Sequence, residues 1–420
     1  MPRLYALVVT LAYAIAWPLL ARHRKLRGAL GRRNGRYGSD WTLPEAGARL
    51  WWHGSSAGDI LALEPVIREV RRRRPDTVCV LSAMTNQGLE TARRLFPELP
   101  VTPQPFDTPW AVRGAMKAIR PDLLVLEYAE LWPGLIRTAS KTGARVVLTN
   151  GHLSEKRLAA YRRLFLLAGN PLRLLDRMLV RDDRERERAI SIGAESSRVV
   201  VAGNTKFDLV PEAIQGTNGL GGALHLEERS LLWVAGSTHV GEEGVLLETL
   251  TELRKRWPSL RLLLAPRYAA RASEVARIAS NAGWRTRLRS ETSAEPADVI
   301  VLDTMGELRE AYRLASLVFV GGSFVPRGGQ NILEPAVWGL PVVYGPHMHN
   351  FEDAVRLLGG HGGHQVADGA ALTATCSQFL SDEAYRKAEG AKARAAVEGA
   401  RGATQRHVEE IISLLPPVRA

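Results

Sequence analysis

The sequence predicts an α/β protein with two parallel-sheet domains, preceded by an apolar helix. Three observations predict it. From about Leu50, short apolar runs alternate with amphipathic stretches of helical period. The alternation lapses in a Gly-rich segment, Val210 to Ser230, and then restarts at LLWVAGS. Leu4 to Ala21 is almost entirely apolar, and a chain of 420 residues has room for two domains of ordinary size beyond it.

The apolar stretch comes first. Eighteen residues of helix cover about 27 Å, close to the ~30 Å hydrocarbon core of a bilayer. Arg22, Arg24, Lys25, Arg27, Arg32, Arg33 and Arg36 follow it, and only Arg3 precedes it. A cleaved signal peptide carries its charge ahead of the apolar run, so the pattern reads as an uncleaved anchor or an interfacial helix. The positive-inside rule then places the rest of the chain in the cytoplasm.

In the first domain the strand candidates are Arg49–Trp52, Thr77–Ser82, Leu123–Glu127, Arg145–Thr149, Arg177–Val180 and Val199–Ala202, with helices such as Ile60–Arg74, Gln87–Phe96 and Trp132–Lys141 between them. In the second, LLWVAGS, LRLLLAP, ADVIVLD and LVFVGGS alternate with helices at Glu242–Arg256, Ala270–Ala282 and Glu307–Ala315. This β-α order demands a parallel sheet covered on both faces. The boundaries read as 1–36 for the anchor and its basic flank, 37–209 and 231–395 for the two domains, 210–230 for a linker and 396–420 for a C-terminal helix.

The net charge of +12 points to acidic partners, membrane phospholipid or phosphorylated substrates, and no RRM, zinc-finger or basic-zipper pattern accompanies it to suggest nucleic acid. Cys79 and Cys376 are the only cysteines, and neither sits in a metal-type spacing. GxxxxGK[ST] and GxGxxG are both missing, which leaves the P-loop and dinucleotide readings unsupported.

Ligands of open α/β sheets bind beyond the carboxyl ends of the strands, here expected to line a cleft between the two domains, so the loops there are the candidates. In HGSSAGD, Asp59 is placed to act as a general base, though Asp is equally a helix cap and local sequence favours capping. His53 is a second base candidate. Arg267 after LRLLLAP and Lys206 in GNTKFD suit phosphate charge. Ser237, Thr238 and His239 are expected to open a helix, as are Gly306 and Glu307. In GGSFVPRGGQNILEP the paired glycines 328 and 329 let backbone N–H groups approach a ligand. A helix from Asn331 would put Asn331 and Glu334 on one face to hold a ribose, unless they only cap it.

Together HGSSAGD, ELWP, NGHLS, GNTKFD, VAGSTHVGEE, LAPR, DTMGEL, FVGGSFVPRGGQNILEP and GPHMHNF resemble the 3-deoxy-D-manno-octulosonic acid (Kdo) transferases, and the resemblance covers nearly the whole chain. It implies a GT-B fold of two Rossmann-like halves, an acceptor site in the first and a CMP-Kdo site in the second. The implied reaction is inverting, metal-independent transfer to a lipid A precursor at the cytoplasmic face of the inner membrane, with no cofactor beyond the donor. Residue by residue, it implies that Pro266 and Arg267 hold the nucleotide and that Met305, Gly306 and Glu307 form a CMP-contacting turn. It places Asn331, Ile332, Leu333 and Glu334 on the ribose side, with Thr238 at a helix start taking leaving-group charge. Asp59 and Glu130 become catalytic carboxylates, and Lys206 a stabiliser of the transition state. The family has Glu where this chain has Asp59, and an acid where it has Tyr128. These departures keep open a related CMP-sugar transferase with another acceptor, or a catalytically weakened membrane-anchored homologue.

Overall fold

The computed structural model describes residues 3–22, 29–45, 47–208, 219–225, 231–291 and 296–417. The chain forms two compact units, Met1–Leu209 with Arg401–Ala420, and Val210–Ala400.

The first unit is built on seven parallel strands: β1 (Arg49–His53), β2 (Val78–Ala83), β3 (Val101–Pro103), β4 (Leu123–Glu127), β5 (Arg145–Gly151), β6 (Arg177–Val180) and β7 (Val199–Val201), in the order β3-β2-β1-β4-β5-β6-β7. Alternate side chains of a strand leave opposite faces, which divides the core in two. Trp51, Leu124, Leu126, Val146 and Leu148 pack under the helices Pro109–Ile119 and Pro133–Lys141. Leu50, Trp52, Leu123, Val125 and Val147 pack under Ala57–Arg73, together with Val408 and Ile411 of the last helix, Ala403–Ser413. The C-terminal stretch is therefore no separate element. One helix runs from Glu383 to Ala400, the chain turns at the left-handed Gly402, and the final helix belongs to the first unit.

The second unit repeats the plan with β8 (Leu232–Thr238), β9 (Arg261–Pro266), β10 (Thr286–Leu288), β11 (Val299–Val301), β12 (Leu317–Val320), β13 (Val342–Tyr344) and β14 (Gly363–Gln365), ordered β10-β11-β9-β8-β12-β13-β14 and again parallel. Strands β3, β10, β13 and β14 and the helix Pro109–Ile119 were not expected. Each strand is only three residues long, too short to show a period. Of the expected linker, 219–225 are described and include a short helix, Leu220–Ala223, and the remainder lies outside the described residues.

Strand order reverses between β1 and β4 in the first unit and between β8 and β12 in the second. A crevice opens at the carboxyl ends of such a pair.

The apolar helix runs from Arg3 to Arg22, with a mean hydropathy of 2.0 over its most apolar window. It is not free-standing. Tyr5 is buried and its hydroxyl donates to Asp107 Oδ2 at 2.6 Å. Asp107 also accepts from the backbone N–H groups of Gly134 (2.8 Å) and Leu135 (2.7 Å), which open the helix Pro133–Lys141. The Tyr13 hydroxyl donates to Asn34 at 2.6 Å, and its ring meets Phe106 and Trp110, both at 5.4 Å. Leu4, Leu7, Val8, Leu11, Ile15 and Leu19 are exposed on the remaining surface. Arg24, Lys25 and Arg27 of the basic flank lie outside the described residues.

Candidate functional site

Asp59 does not cap at Ile60. The helix begins three residues earlier than expected, at Ala57, with Ser56 as its N-cap and Asp59 third along it. Asp59 Oδ2 accepts from Ser56 N and Ser56 Oγ, both at 2.9 Å, and its own N–H returns to Ser56 Oγ, the reciprocal pair of a capping box. Both bonds fall on Oδ2, and Oδ1 accepts from no described residue. One oxygen fixes the side chain while the other keeps its lone pairs for a proton.

At the end of β4, across the reversal in strand order, stand Glu127, Tyr128 and Glu130. Glu130 Oε2 lies 3.3 Å from His53 Nε2 and accepts from Trp132 Nε1 at 2.5 Å. Burial works to raise this carboxyl, but the bonds from His53 and Trp132 outweigh it and hold it below the ordinary value. His53 Nδ1 meets Ser82 Oγ at 2.9 Å, so the ring is fixed at both nitrogens. Tyr128 has a left-handed backbone, φ 67, which a bulky residue adopts only when its surroundings impose it. The guanidinium carbon of Arg181 sits 4.4 Å from its ring centroid and Lys206 Nζ sits 5.2 Å from it, both at cation–π range. Its ring also lies 5.2 Å from that of His152, whose Nδ1 meets Glu185 at 2.8 Å.

Glu127, the last residue of β4, is fully buried. Burial pushes its carboxyl up to about 8, and the charge of Asp59 adds to the effect, against bonds from Thr149 and Asn150 and the charge of Lys206. The geometry agrees. The single hydroxyl proton of Thr149 faces both Leu126 O (3.1 Å) and Glu127 Oε2 (2.6 Å). A protonated Glu127 donates to Thr149, which then donates to Leu126 O, and every group is satisfied.

In the second unit, Thr238 opens no helix. It is the last residue of β8, buried, with its hydroxyl 3.4 Å from Glu243, and the helix starts at Glu242. Glu242 explains the glycine-rich turn after β12. Its carboxylate accepts from the N–H groups of Gly322 (2.7 Å), Ser323 (3.0 Å) and Phe324 (2.9 Å), so the chain's own acid fills that nest. The paired glycines are likewise explained by self-packing. Gly328 and Gly329 have φ of 89 and 77, and a Cβ on either would stand 2.1 Å from Asn350 Nδ2 or 2.2 Å from Met348 Sδ.

The helix expected from Asn331 is a four-residue turn, Leu333–Ala336. Asn331 and Glu334 do meet, Nδ2 to Oε1 at 3.2 Å, while Asn331 Oδ1 accepts from Leu333 N. Burial raises the Glu334 carboxyl above its ordinary value, against Asn331 and the nearby charges of Arg309 and Arg267. Ile332 and Leu333 point into the core, leaving only backbone to a ligand. Pro266 ends β9, and Arg267 is exposed beyond it, its backbone N–H held by Thr238 O at 3.0 Å and its guanidinium over Tyr268. His239 stands edge-on to Tyr268, 5.9 Å between centroids, and burial together with the charges of Arg327, Arg267 and Arg271 lowers its pKa despite Glu242. Glu307 precedes the helix Leu308–Leu314 with no capping bond from its side chain, which accepts instead from Arg289 Nη2 at 2.9 Å and from the Thr304 hydroxyl, whereas Met305 is almost wholly exposed and Gly306 is left-handed.

The first unit thus gathers Asp59, Glu127 and Lys206 by charge, and Tyr128, Arg181 and Lys206 by contact. The second gathers Arg267, His239, Asn331 and Glu334. No group of three or more His, Cys, Asp or Glu side chains able to hold a metal ion occurs among the described residues. Arg181, Glu185 and Glu242 are additions that the strand-end loops gave no cause to single out.

Two doubly wound sheets with polar, charged strand ends define a GT-B glycosyltransferase architecture. A solved UDP-GlcNAc 2-epimerase from Neisseria meningitidis shares the fold, at TM-score 0.59 and 12% identity over 87% of this chain and all (100%) of that one. Residues 28–209 match the family model of 3-deoxy-D-manno-octulosonic-acid transferase (kdotransferase). The transferase of Chlamydophila psittaci is 31% identical over 84% of this chain and 83% of its own, and that of Bordetella pertussis 32% over 90% and 94%. The chain belongs to the 3-deoxy-D-manno-octulosonic acid transferase family.

Proposed function

We propose that this enzyme moves Kdo from CMP-Kdo to a hydroxyl of a lipid A precursor, with inversion and without a metal or a further cofactor. What carries the reading is the similarity to named Kdo transferases, which runs through both units rather than one. Asp59 Oδ1 takes the proton of the acceptor hydroxyl as that oxygen attacks the anomeric carbon of Kdo, and the glycosidic bond to CMP breaks on the opposite face. The CMP phosphate leaves with the bonding pair. Arg267 offers it a guanidinium, and Asn331 and Glu334 offer the ribose a donor and an acceptor. Met305, Gly306 and Glu307 supply the neighbouring turn. Lys206 adds positive charge where negative charge develops, and Glu130, held by His53, orients the acceptor. The protein works at the cytoplasmic face of the inner membrane. The Arg3–Arg22 helix packs one face on the first unit and leaves leucines on the other, which suits a helix lying in the interface.

A second reading, transfer of the same donor sugar to a different acceptor, is favoured by one observation. Tyr128 presents an aromatic ring to Arg181 and Lys206 where the family carries an acid, so a carboxylate is replaced by a ring on the acceptor side. Incubating the purified protein with CMP-Kdo and a tetra-acylated lipid A precursor, with product masses read by mass spectrometry, tests both. A Kdo-mass addition to the precursor supports the first reading. CMP-Kdo binding with no such product rejects it and favours the second.

A further inference from the structure

We infer that Asn150 is a positioning residue for the transfer: it locks together the three segments that carry Asp59, Glu130 and Lys206. The inference rests on the function proposed above. Asn150 is buried at the end of β5, with φ 48, a conformation that Asn tolerates better than most residues. Its side chain commits both donors and one acceptor lone pair to two elements. Nδ2 donates to Glu127 Oε1 (2.8 Å) and to Thr205 Oγ1 (2.7 Å), and Oδ1 accepts from Thr205 N (2.9 Å). Thr205 directly precedes Lys206. Its hydroxyl donates to Ala62 O at 2.9 Å, on the helix whose first turn carries Asp59. Glu127 leads into the strained Tyr128, and its carbonyl receives the Glu130 N–H at 3.3 Å.

The backbone of Asn150 extends the lock. Its N–H donates to His407 Nε2 at 3.2 Å, and His407 Nδ1 lies 2.9 Å from Ala403 O. That requires the neutral tautomer with its proton on Nδ1, and burial holds the ring neutral by lowering it to about 4. The last helix is thereby latched to the same point. The bonds to Glu127 and Thr205 need a single side chain with one donor group and one acceptor group in a fixed plane. Asp offers no donor to Glu127 or Thr205, Ala offers neither, and Gln is a methylene too long.

The test compares wild type, Asn150→Ala, Asn150→Asp and the double variant Asn150→Asp/Glu127→Gln. Initial rates with CMP-Kdo and the lipid A precursor are read together with hydrogen exchange of the 203–208 segment. Displacing catalytic groups by about 1 Å costs about a hundredfold, so both single variants should lose about ten- to a hundredfold in kcat per folded molecule, with the KM for CMP-Kdo within about twofold. Exchange should rise in 203–208 and leave the β8 and β12 segments unchanged. In the double variant the Gln amide donates to the new carboxylate, reversing the polarity of the bond, and should recover at least about fivefold over Asn150→Asp. A purely structural role predicts lower melting temperature with unchanged kcat per folded molecule, and that result, or absence of recovery in the double variant, overturns the inference. Should wild type transfer no Kdo, the proposed function fails by itself. The exchange data then decide alone, unchanged exchange of 203–208 in Asn150→Ala rejecting the lock and a local rise upholding it.

Discussion

Replacing Glu127 by Gln should make the protein more stable, and increasingly so as pH rises. In the fold this carboxyl is fully buried and sits near Asp59; burial first, with that charge adding, raises it from 4.5 to about 8. A group raised in the folded state contributes stability in full below its unfolded value and loses it as pH climbs through the folded value. The wild-type contribution therefore falls between pH 4.5 and about 8 and is level above that. That interval is roughly 3.5 pH units at about 1.36 kcal/mol each, so the total is about 5 kcal/mol. Gln cannot ionise, yet it keeps an acceptor for Asn150 and a donor for Thr149. The stability difference, variant minus wild type, should be near zero at pH 4.5 and approach about 5 kcal/mol at pH 8, or on the order of 10 °C in melting temperature for a unit of this size. Denaturant unfolding at pH 5, 6.5 and 8, followed by circular dichroism, reads it. Asp107, also raised by burial, to about 6, is common to both proteins and cancels. A difference that stays constant across this range, or a variant less stable than wild type at pH 8, would refute the protonated, satisfied Glu127.

Three further substitutions test other residues of the two units. Arg267→Ala should raise the KM for CMP-Kdo by about tenfold or more, as a charge-assisted phosphate contact is worth about 1.5–3 kcal/mol, while leaving the melting temperature unchanged because the side chain is exposed; steady-state kinetics and calorimetry check this. Tyr128→Glu should exchange two cation–π contacts for ion pairs with Arg181 and Lys206 and shift the acceptor range, read as the ratio of products from a mixture of hydroxyl acceptors. Gly236→Ala would set a Cβ 1.9 Å from the hydroxyl of the buried Tyr312, so thermal melts should show a loss of about 1–3 kcal/mol or more from the second unit.

The β-α alternation from Leu50 and from Leu231 was enough to place both sheets, because buried parallel strands such as LLVLE and LWVAGST are continuous apolar runs bounded by polar loops. Val342–Tyr344 and Gly363–Gln365 escaped for the opposite reason: three residues carry no period, and only pairing with β12 and with each other makes them strands. At the site, the strand-end loops pointed to Asp59, Glu130, Lys206, Arg267 and Glu334. What each side chain does there depends on partners far away in sequence. Glu242 fills a nest 80 residues further on, and Asn150 binds groups 23, 55 and 257 residues distant. Local pattern shows that GGSF can form a nest, but not that the chain brings its own carboxylate to it. Likewise Ser56 and Asp59 form the S-x-x-D variant of a capping box, yet which of them begins the helix was settled by hydrogen-bond geometry.

The proposed base of the Kdo transfer is Asp59, with Oδ2 fixed by Ser56 and Oδ1 accepting from no described residue. The direct measurement is the single-turnover rate at saturating CMP-Kdo and lipid A precursor, wild type against Asp59→Asn, in which the amide keeps the side chain's shape. A Kdo-bearing product is expected from wild type, and a rate lower by about a hundredfold or more from the variant. Equal rates in the two proteins would contradict that role for Asp59.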